Sequence, residues 1–188
     1  IKNIKTIEAI PLKIDIFGAL HKNFEKKILT ALQKGEIEIR GEVLITKKNL
    51  RKINEEQEKH GLSFYANPRN LAAGSLRQLD PKITSQRKLD FFAYDIVVGF
   101  ETENHEQKHE ILHKLGLKTN KNNSYCKTLD DVFNFYKKCQ IIREKLDYEI
   151  DGVVVMVNNN KIFDKLGVVG KAPRGAIAFK FAQSQSTT

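Results

Sequence analysis

The spacing of hydrophobic and polar residues along this 188-residue chain changes several times, which separates predicted helices from predicted strands. Apolar residues at helical spacing predict helices over 21–34, 47–60, 70–80, 105–115 and 128–146. Alternating or β-branched and aromatic patterns predict strands over 36–45, 89–98, 149–158 and 176–182. Because the strands and helices do not alternate regularly, the pattern indicates an α+β fold with largely antiparallel sheets flanked by helices.

The first predicted strand carries polar residues along one face. Glu36, Glu38, Arg40 and Glu42 alternate with apolar residues, and Gly41 among these allows another group to approach the backbone closely. A carboxylate such as that of Glu42 can bind a ligand from this face. The strand alone is equally typical of a half-exposed sheet with solvated charges.

The last two predicted strands each present small or apolar residues on one face. These residues are Gly152, Val154 and Met156 on one strand, and Ala176, Ala178 and Lys180 on the other. A floor of small residues beside a lysine suits a flat ligand that carries a phosphate, because the floor admits the ring and the cation reaches the anion. For either strand alone, an ordinary sheet with a solvated lysine remains an alternative.

The segment from Ser63 to Pro81 contains two arginines eight positions apart. Arg69 is predicted to lie just before the helix over 70–80, and Arg77 on its third turn. Arginine suits phosphate recognition because its planar guanidinium meets two oxygens at once. A surface helix with two solvated arginines fits this pair of residues as well.

Composition and charge narrow the classes of protein only slightly. The net charge of +9 fits a polyanionic partner, although the charges are scattered along the chain. Cys126 and Cys139 are too few and too far apart for a zinc cluster or a disulfide framework, and we interpret both as reduced thiols, with Cys139 on a buried helix face. No apolar stretch approaches the roughly 20 residues of a membrane span.

The strand motifs and the Ser63–Pro81 segment together resemble the adenylation domain of NAD-dependent bacterial DNA ligases. The three strands look like motifs III, IV and V of the covalent nucleotidyltransferases, and residues 3–12 also resemble the ligase sequence. The Arg69/Arg77 segment is specific to the NAD-dependent branch, whereas an ATP-dependent ligase or a capping enzyme would share only the strand motifs. The resemblance covers nearly the whole chain.

This resemblance implies a covalent nucleotidyltransferase fold and a single partial adenylation domain over 1–188. The part that carries the nucleophile and binds nicotinamide would precede the chain, and an OB-fold would follow it. Such ligases seal nicks in duplex DNA through lysyl-AMP and DNA-adenylate intermediates. The implied cofactors are NAD and Mg²⁺, with zinc in a downstream domain, and the implied partners are nicked duplex DNA and NAD or AMP. We expect a cytoplasmic monomer that acts in DNA replication, in DNA repair and in the response to DNA damage, with no membrane partner.

The resemblance also implies roles for individual residues. Glu42 would contact the ribose of the adenylate and Lys180 its phosphate, while Asp151 and Gly152 would form the wall beside it. Arg69 and Arg77 would hold the backbone of the nicked DNA, and such contacts position a duplex without reading its sequence. No metal-binding residue is predicted.

The chain departs from the family pattern at three points. The family's nucleophilic lysine lies in a Lys-x-Asp-Gly motif expected upstream of Ile1, so no catalytic residue is assigned here and the chain alone is expected to be inactive. Met156 stands where motif IV ends in a lysine, and Gly175 where a tryptophan is usual. Heavier reliance on Lys180, an altered position, or Lys161 reaching in from the loop would each account for Met156. A non-catalytic DNA-binding module derived from a ligase is the alternative function.

Overall fold

The computed structural model describes residues 1–15 and 24–182, and the chain divides into two compact units, Ile1–Asn122 and Asn123–Thr188. The first unit contains a 3-10 turn (Ile4–Thr6), α1 (Lys26–Lys34), β1 (Glu38–Leu44), α2 (Lys47–Lys59), α3 (Pro68–Leu76), α4 (Pro81–Gln86), β2 (Asp90–Val98) and α5 (His105–Lys114). The second contains α6 (Leu129–Ile142), a 3-10 turn (Arg143–Lys145), β3 (Gly152–Met156), α7 (Asn160–Leu166), β4 (Val168–Val169), β5 (Ala172–Pro173) and β6 (Ala176–Lys180).

The mixture of helices and small antiparallel sheets confirms the α+β prediction, while the nucleotidyltransferase fold stays a prediction. Strand β1 pairs with β2, β3 with β6, and β4 with β5. None of the helices within 1–15 and 24–182 is long and apolar enough to cross a bilayer. The expectation of a single partial domain also stays a prediction.

The core of the first unit packs helices and the 3-10 turn against the β1–β2 sheet. Its most buried members include Ile7 and Leu112, which are 1% and 0% exposed. Leu71 and Ala72 of α3 belong to the same cluster, at 4% and 1% exposed. Helix α3 therefore rests on the core by its apolar face, which fixes where its outward residues lie.

Strand β1 alternates between exposed and half-buried residues as its sequence predicts, with Arg40 and Glu42 exposed. The role expected of Gly41 is corrected in one respect. A Cβ at Gly41 would collide with the ring of Phe91 on β2, so the group that approaches this backbone is a core side chain. The glycine serves the pairing of the two strands.

Helix α3 begins earlier than the sequence analysis placed it. The Asn67 side chain accepts a hydrogen bond from the backbone N–H of Asn70 at 3.0 Å, and Pro68 occupies the first helical position. Proline suits that position because its missing N–H has no partner within a helix. Arg69 therefore lies inside the first turn of α3, and its predicted place before the helix was wrong.

The same helix ends at Leu76, so the prediction of one helix through Asp80 was also wrong. The Asp80 carboxylate accepts from the N–H of Lys82 at 2.9 Å and begins a second helix, α4, with Pro81 as its first residue. Arg77 is the C-cap of α3 instead of a member of a third turn.

The second unit is built on α6, whose predicted capping box is confirmed. Thr128 Oγ1 accepts from the Asp131 N–H at 3.2 Å, and the Asp131 carboxylate accepts from the Thr128 N–H at 2.9 Å. These hydrogen bonds lower the pKa of Asp131. The helix ends at Ile142 and continues only as a 3-10 turn, so the predicted end at Leu146 was several residues too late.

One face of the β3–β6 sheet packs against α6. The Tyr136 ring stacks on Phe179 with centroids 4.1 Å apart, and Phe133 meets Phe179 edge-on at 6.1 Å. Cys139 is buried on the same helix, as predicted. The opposite face of the sheet is open at Val154, which is 70% exposed.

A polar cluster joins α5 to β2 in the first unit. The Nε2 atoms of His105 and His109 are 3.1 Å apart, and Lys108 Nζ lies 2.8 Å from Asp95 Oδ1. Burial, followed by the neighbouring His109, lowers the pKa of His105 to about 4 although Asp95 raises it, and burial also lowers the pKa of His109.

Because both histidine pKa values are lowered in the folded state, we expect α5 to lose stability as the pH falls from about 6.5 towards 4. Above 6.5 the rings are neutral in both states, whereas below it the unfolded chain binds protons that the folded chain excludes. The loss for His105 should reach about 1.4 kcal/mol per pH unit across this window. Hydrogen exchange of the α5 amides measures it.

The control for this experiment is His113→Gln, which changes an exposed histidine on the same helix. It should keep the pH dependence, whereas a double variant with His105→Asn and His109→Gln should flatten it. A flat profile in the unaltered protein would contradict the argument.

Candidate functional site

The outward face of α3 presents a short row of residues framed by two arginines. Arg69, Ala73 and Arg77 follow one another at intervals of four, so they lie along the same side of the helix, and all three are exposed. The two arginines are separated by about 12 Å along the axis, at 1.5 Å per residue. Because Ala73 between them is small, an extended polyanion can lie against the helix and meet both guanidinium groups.

Arg69, which is expected to bind DNA, lies close to Glu42, which is expected to bind the ribose of the adenylate. Its Nη2 atom lies 3.6 Å from Oε1 of Glu42 on β1, and the two side chains are 74% and 57% exposed. An ion pair this exposed contributes little to stability, so both groups can exchange this contact for a ligand. The structure thus brings together the predicted ribose contact and one of the predicted DNA contacts.

Arg77 lies at the opposite end of α3 from this pair. Its side chain is exposed, and it makes no ion pair with any residue of 1–15 or 24–182. Its backbone is ordered by the C-cap, since the Arg77 N–H donates to the Gly74 carbonyl at 3.2 Å. Arg77 is therefore an exposed cation carried by an ordered turn, which suits it to bind an anionic ligand.

The buried side of α3 is held by residues that the sequence analysis did not identify. Ser75 is 0% exposed, and its Oγ accepts a hydrogen bond from Arg87 Nη1 at 2.8 Å. Thr84 donates from Oγ1 to the Ser75 carbonyl at 2.9 Å, and the Arg87 guanidinium lies over the Tyr65 ring, 5.7 Å from its centroid. These partners are 9 to 22 positions apart in sequence, and no local pattern links them.

Tyr94 is a second residue that the sequence analysis passed over. It lies at a bulge in the β1–β2 pairing, is 44% exposed, and is two residues from Phe92, which pairs with Glu42. Bulges often redirect a side chain near a binding site, and an exposed aromatic ring offers a stacking surface for a flat ligand. The sequence signal for Tyr94 was an aromatic residue with a polar hydroxyl within a largely apolar strand.

The second unit places the other predicted site residues on one sheet. The register brings the two predicted faces together, with these pairs opposite one another: Gly152 and Lys180, Val154 and Ala178, Met156 and Ala176. The open face is thus a strip of small and apolar residues with a lysine at one end and a methionine at the other.

Lys180 is held by a carboxylate at its end of this strip. Its Nζ lies 2.7 Å from Asp151 Oδ2, and the side chains are 65% and 70% exposed. The backbone is fixed independently, because Tyr136 Oη donates to the Lys180 carbonyl at 3.0 Å and the Phe181 N–H donates to the Asp151 carbonyl at 2.8 Å. Substituting the Lys180 side chain would therefore leave the strand anchored.

Gly152 is required by the pairing of β3 with β6, whether or not a ligand binds. A Cβ there would lie 2.5 Å from the Phe179 carbonyl oxygen and 2.7 Å from the Lys180 Cα on the paired strand. Only glycine allows this close pairing. Because Gly152 is opposite Lys180, it helps to set the position of the lysine, and its predicted contact with the adenylate stays a prediction.

Met156 is half-buried at the end of the strip remote from Lys180. It is four positions from Gly152 along β3, which corresponds to about 13 Å at 3.3 Å per residue. A lysine side chain spans only about half that distance, since each of its bonds adds little more than 1 Å. Lys180 therefore does not reach the position of Met156, and the explanations that the sequence leaves open for Met156 stay open.

Gly175, which departs from the family's tryptophan, does not leave an empty space. The ring of Phe163 on α7 occupies the position that a Gly175 side chain would need, and Gly175 is buried beneath it. A large residue at Phe163 thus accompanies a small one at Gly175. The space beside the glycine is filled by this ring.

The chain is similar to known proteins along nearly its whole length. Residues 1–184 match the family model of the NAD-dependent DNA ligase adenylation domain. A DNA ligase of Koribacter versatilis is 43% identical over 99% of this chain and 27% of its own length. DNA ligases of Clostridioides difficile and Acetivibrio thermocellus are 42% and 44% identical over 100% and 96% of this chain, which correspond to 26% and 25% of their lengths. The chain thus spans about a quarter of these relatives, and it belongs to the NAD-dependent DNA ligase adenylation domain family.

Proposed function

We propose that the protein containing this chain is an NAD-dependent DNA ligase that seals nicks in duplex DNA. In the first step, a lysine outside this chain attacks the adenylyl phosphorus of NAD; a nitrogen–phosphorus bond forms and nicotinamide mononucleotide leaves. The AMP then passes to the 5′-phosphate of the nick, and the 3′-hydroxyl displaces it. This chain contributes residues that bind the nucleotide and the DNA backbone.

The observation that carries the DNA-binding part is the row of Arg69, Ala73 and Arg77 on the exposed face of α3. Two guanidinium groups on one rigid helix can each bind phosphate oxygens through paired hydrogen bonds. Contacts of this kind hold a duplex without reading its bases, which suits an enzyme that must act at any sequence. The net charge of +9 favours the approach of DNA.

Two regions support the nucleotide-binding part. In the first unit, Glu42 offers a carboxylate to sugar hydroxyls and Tyr94 offers a ring for stacking. In the second, Lys180 lies beside a strip of small residues and supplies a cation for the phosphate. Positive groups aimed at developing negative charge stabilise the transition state of phosphoryl transfer. Asp151 holds the Lys180 ammonium in place until the phosphate binds.

Magnesium and zinc belong to the proposed whole enzyme. Within 1–15 and 24–182, no three His, Cys, Asp or Glu side chains cluster as a metal site. These residues therefore do not by themselves form a Mg²⁺ cage, and Mg²⁺ commonly relies on substrate phosphates for its ligands. Zinc is assigned to a downstream domain, and the enzyme is proposed to act as a cytoplasmic monomer in DNA replication and repair.

The direct test of this function is sealing of a nicked duplex by the full-length protein with NAD and Mg²⁺. We expect joined product with NAD and none with ATP, measured by denaturing electrophoresis of a labelled strand. Joining that requires ATP would exclude the NAD-dependent class. Tight binding of the nick with no joining would favour the alternative, a non-catalytic DNA-binding module, which is favoured by the uncharged Met156 at a position where the family has lysine.

Restoring the missing charge should accelerate the first step. We expect Met156→Lys to raise the rate of self-adenylation roughly tenfold, because about 1.4 kcal/mol of added phosphate stabilisation corresponds to that factor. Lys180 lies too far along the strip to supply this charge already. Single-turnover uptake of AMP from NAD measures the effect, and Met156→Leu, which keeps the size without charge, is the control. An unchanged rate in Met156→Lys would show that another cation already serves this position.

A further inference from the structure

The side chain of Asn3 bridges the two backbone carbonyls on either side of Arg77. Its Nδ2 atom donates to the Leu76 carbonyl at 2.8 Å and to the Gln78 carbonyl at 2.7 Å. Asn3 is 9% exposed, although it is separated from these partners by 73 and 75 positions. Both hydrogens of one amide therefore hold the turn that carries Arg77.

The hydrogen bond to Leu76 falls where a helix has carbonyl groups without intrahelical partners, and the one to Gln78 falls just after the C-cap of α3. The last four carbonyls of an α-helix lack N–H donors from within the helix, and α3 ends at Leu76. Without Asn3, the Leu76 and Gln78 carbonyls would turn towards water and the turn would sample other conformations. The direction of the Arg77 side chain depends on that turn.

Asn3 is itself rigidly held. The Thr6 hydroxyl donates to the Asn3 carbonyl at 2.7 Å, and the Thr6 N–H donates to the same oxygen at 3.2 Å. Ile7 follows directly and is 1% exposed in the core of the first unit. The amide is thus anchored to the core from one side and to the Arg77 turn from the other.

We propose that Asn3 is a positioning residue for Arg77, aiming its guanidinium at a phosphate of the bound DNA backbone. This inference rests on the proposed function, in which Arg77 binds DNA. Asn3 does not touch the ligand; it lowers the conformational entropy that Arg77 would otherwise lose on binding. Asparagine suits the role because its amide has two hydrogens to donate, whereas an aspartate carboxylate accepts only and would repel both carbonyls.

The test is binding of a nicked duplex by the full-length protein over a range of salt concentrations, with Asn3→Ala, Arg77→Ala and the double variant. We expect Asn3→Ala to weaken binding about threefold to tenfold and to reduce the salt slope towards that of Arg77→Ala, whose phosphate contact is worth about 0.9 in that slope. Because both substitutions remove the same contact, Arg77→Ala should cost far less in the Asn3→Ala background than in the unaltered protein.

Thr84→Val is the matched structural control. It removes another buried hydrogen bond to α3, that to the Ser75 carbonyl, and leaves both hydrogen bonds from Asn3 in place. We expect it to leave the effect of Arg77→Ala at full size. Asn3→Ser, which keeps one donor, should be intermediate and remains informative if Asn3→Ala does not fold.

The possible outcomes distinguish the positioning role of Asn3 from the DNA contact of Arg77. If Arg77→Ala weakens binding but its effect is the same with and without Asn3, the positioning role is overturned while the proposed DNA contact stands. If Arg77→Ala alone changes neither affinity nor salt slope, the DNA contact is overturned and the positioning role with it. If Thr84→Val reduces the effect of Arg77→Ala as much as Asn3→Ala does, the effect comes from the general stability of α3, and the specific role of Asn3 is overturned.

Discussion

Replacing Lys180 with methionine should slow the uptake of AMP from NAD by the full-length protein about 10²- to 10³-fold, the usual cost of removing one preorganised charge-stabilising group. The substitution keeps an unbranched side chain, one atom shorter than that of lysine, and removes its charge. The fold should be little affected, because the ion pair of Lys180 with Asp151 is exposed. The strand is held independently by the Tyr136 hydroxyl, which donates to the Lys180 carbonyl, and by the Phe181 N–H, which donates to the Asp151 carbonyl.

Single-turnover adenylation measures this effect, and thermal unfolding checks the fold. Lys165→Met, which removes an exposed lysine from α7, is the control for net charge and should leave the rate unchanged. Asp151→Asn removes the carboxylate that pairs with Lys180 and leaves the lysine charged. We expect it to change the rate of AMP uptake only a few-fold. A Lys180→Met protein that takes up AMP at the normal rate would show that Lys180 does not stabilise the phosphate in this step.

Replacing Arg77 with alanine should weaken binding of a nicked duplex roughly tenfold and reduce the salt slope by about 0.9, because one phosphate contact is lost. Uptake of AMP from NAD should not change, since that step precedes DNA binding. Arg69→Ala should differ, because Arg69 lies 3.6 Å from Glu42; we expect it to affect both DNA binding and AMP transfer.

Fluorescence anisotropy at several salt concentrations measures the Arg77 effect, with two nicked duplexes of unrelated sequence. The loss should be the same for both, as expected for backbone contacts. Arg77→Lys should be intermediate, because it keeps the charge and loses the bidentate fork. Lys34→Ala, which removes an exposed charge from the end of α1, is the control. An unchanged salt slope in Arg77→Ala would contradict the assignment.

The strands could be predicted from sequence because their signal is local. Alternation placed Glu42 on one face of β1 with Arg40, and both are exposed. It also grouped Gly152 with Met156 on one strand and Ala176 with Lys180 on another, and the register of the structure then brings these two faces together. The capping box of Thr128 and Asp131 was also readable, since both members lie within one turn.

The boundaries of α3 show where local interpretation went wrong. Both prolines were interpreted as breaks around one helix, yet Pro68 and Pro81 each begin a helix behind a capping residue, Asn67 or Asp80. Asparagine or aspartate before proline is itself a helix-start signal, so this error was avoidable. The corrected helix is what places Arg69, Ala73 and Arg77 in one exposed row.

The supports of α3 could not have been predicted from one sequence. Asn3 acts on carbonyls more than 70 positions away, and Arg87 reaches the buried hydroxyl of Ser75. Such contacts depend on which segments the core brings together, and they leave no periodic pattern. The reason for Gly41 was similarly hidden, because the ring that fills its space belongs to Phe91 on the neighbouring strand.

The intact mass of the full-length protein shows whether this chain is part of an enzyme that takes up AMP from NAD. The protein is first freed of bound nucleotide and then incubated with Mg²⁺ and either NAD or ATP. We expect a mass gain of one AMP with NAD alone, which disappears when a nicked duplex is added and sealed. No gain with NAD, or an equal gain with ATP, would contradict it.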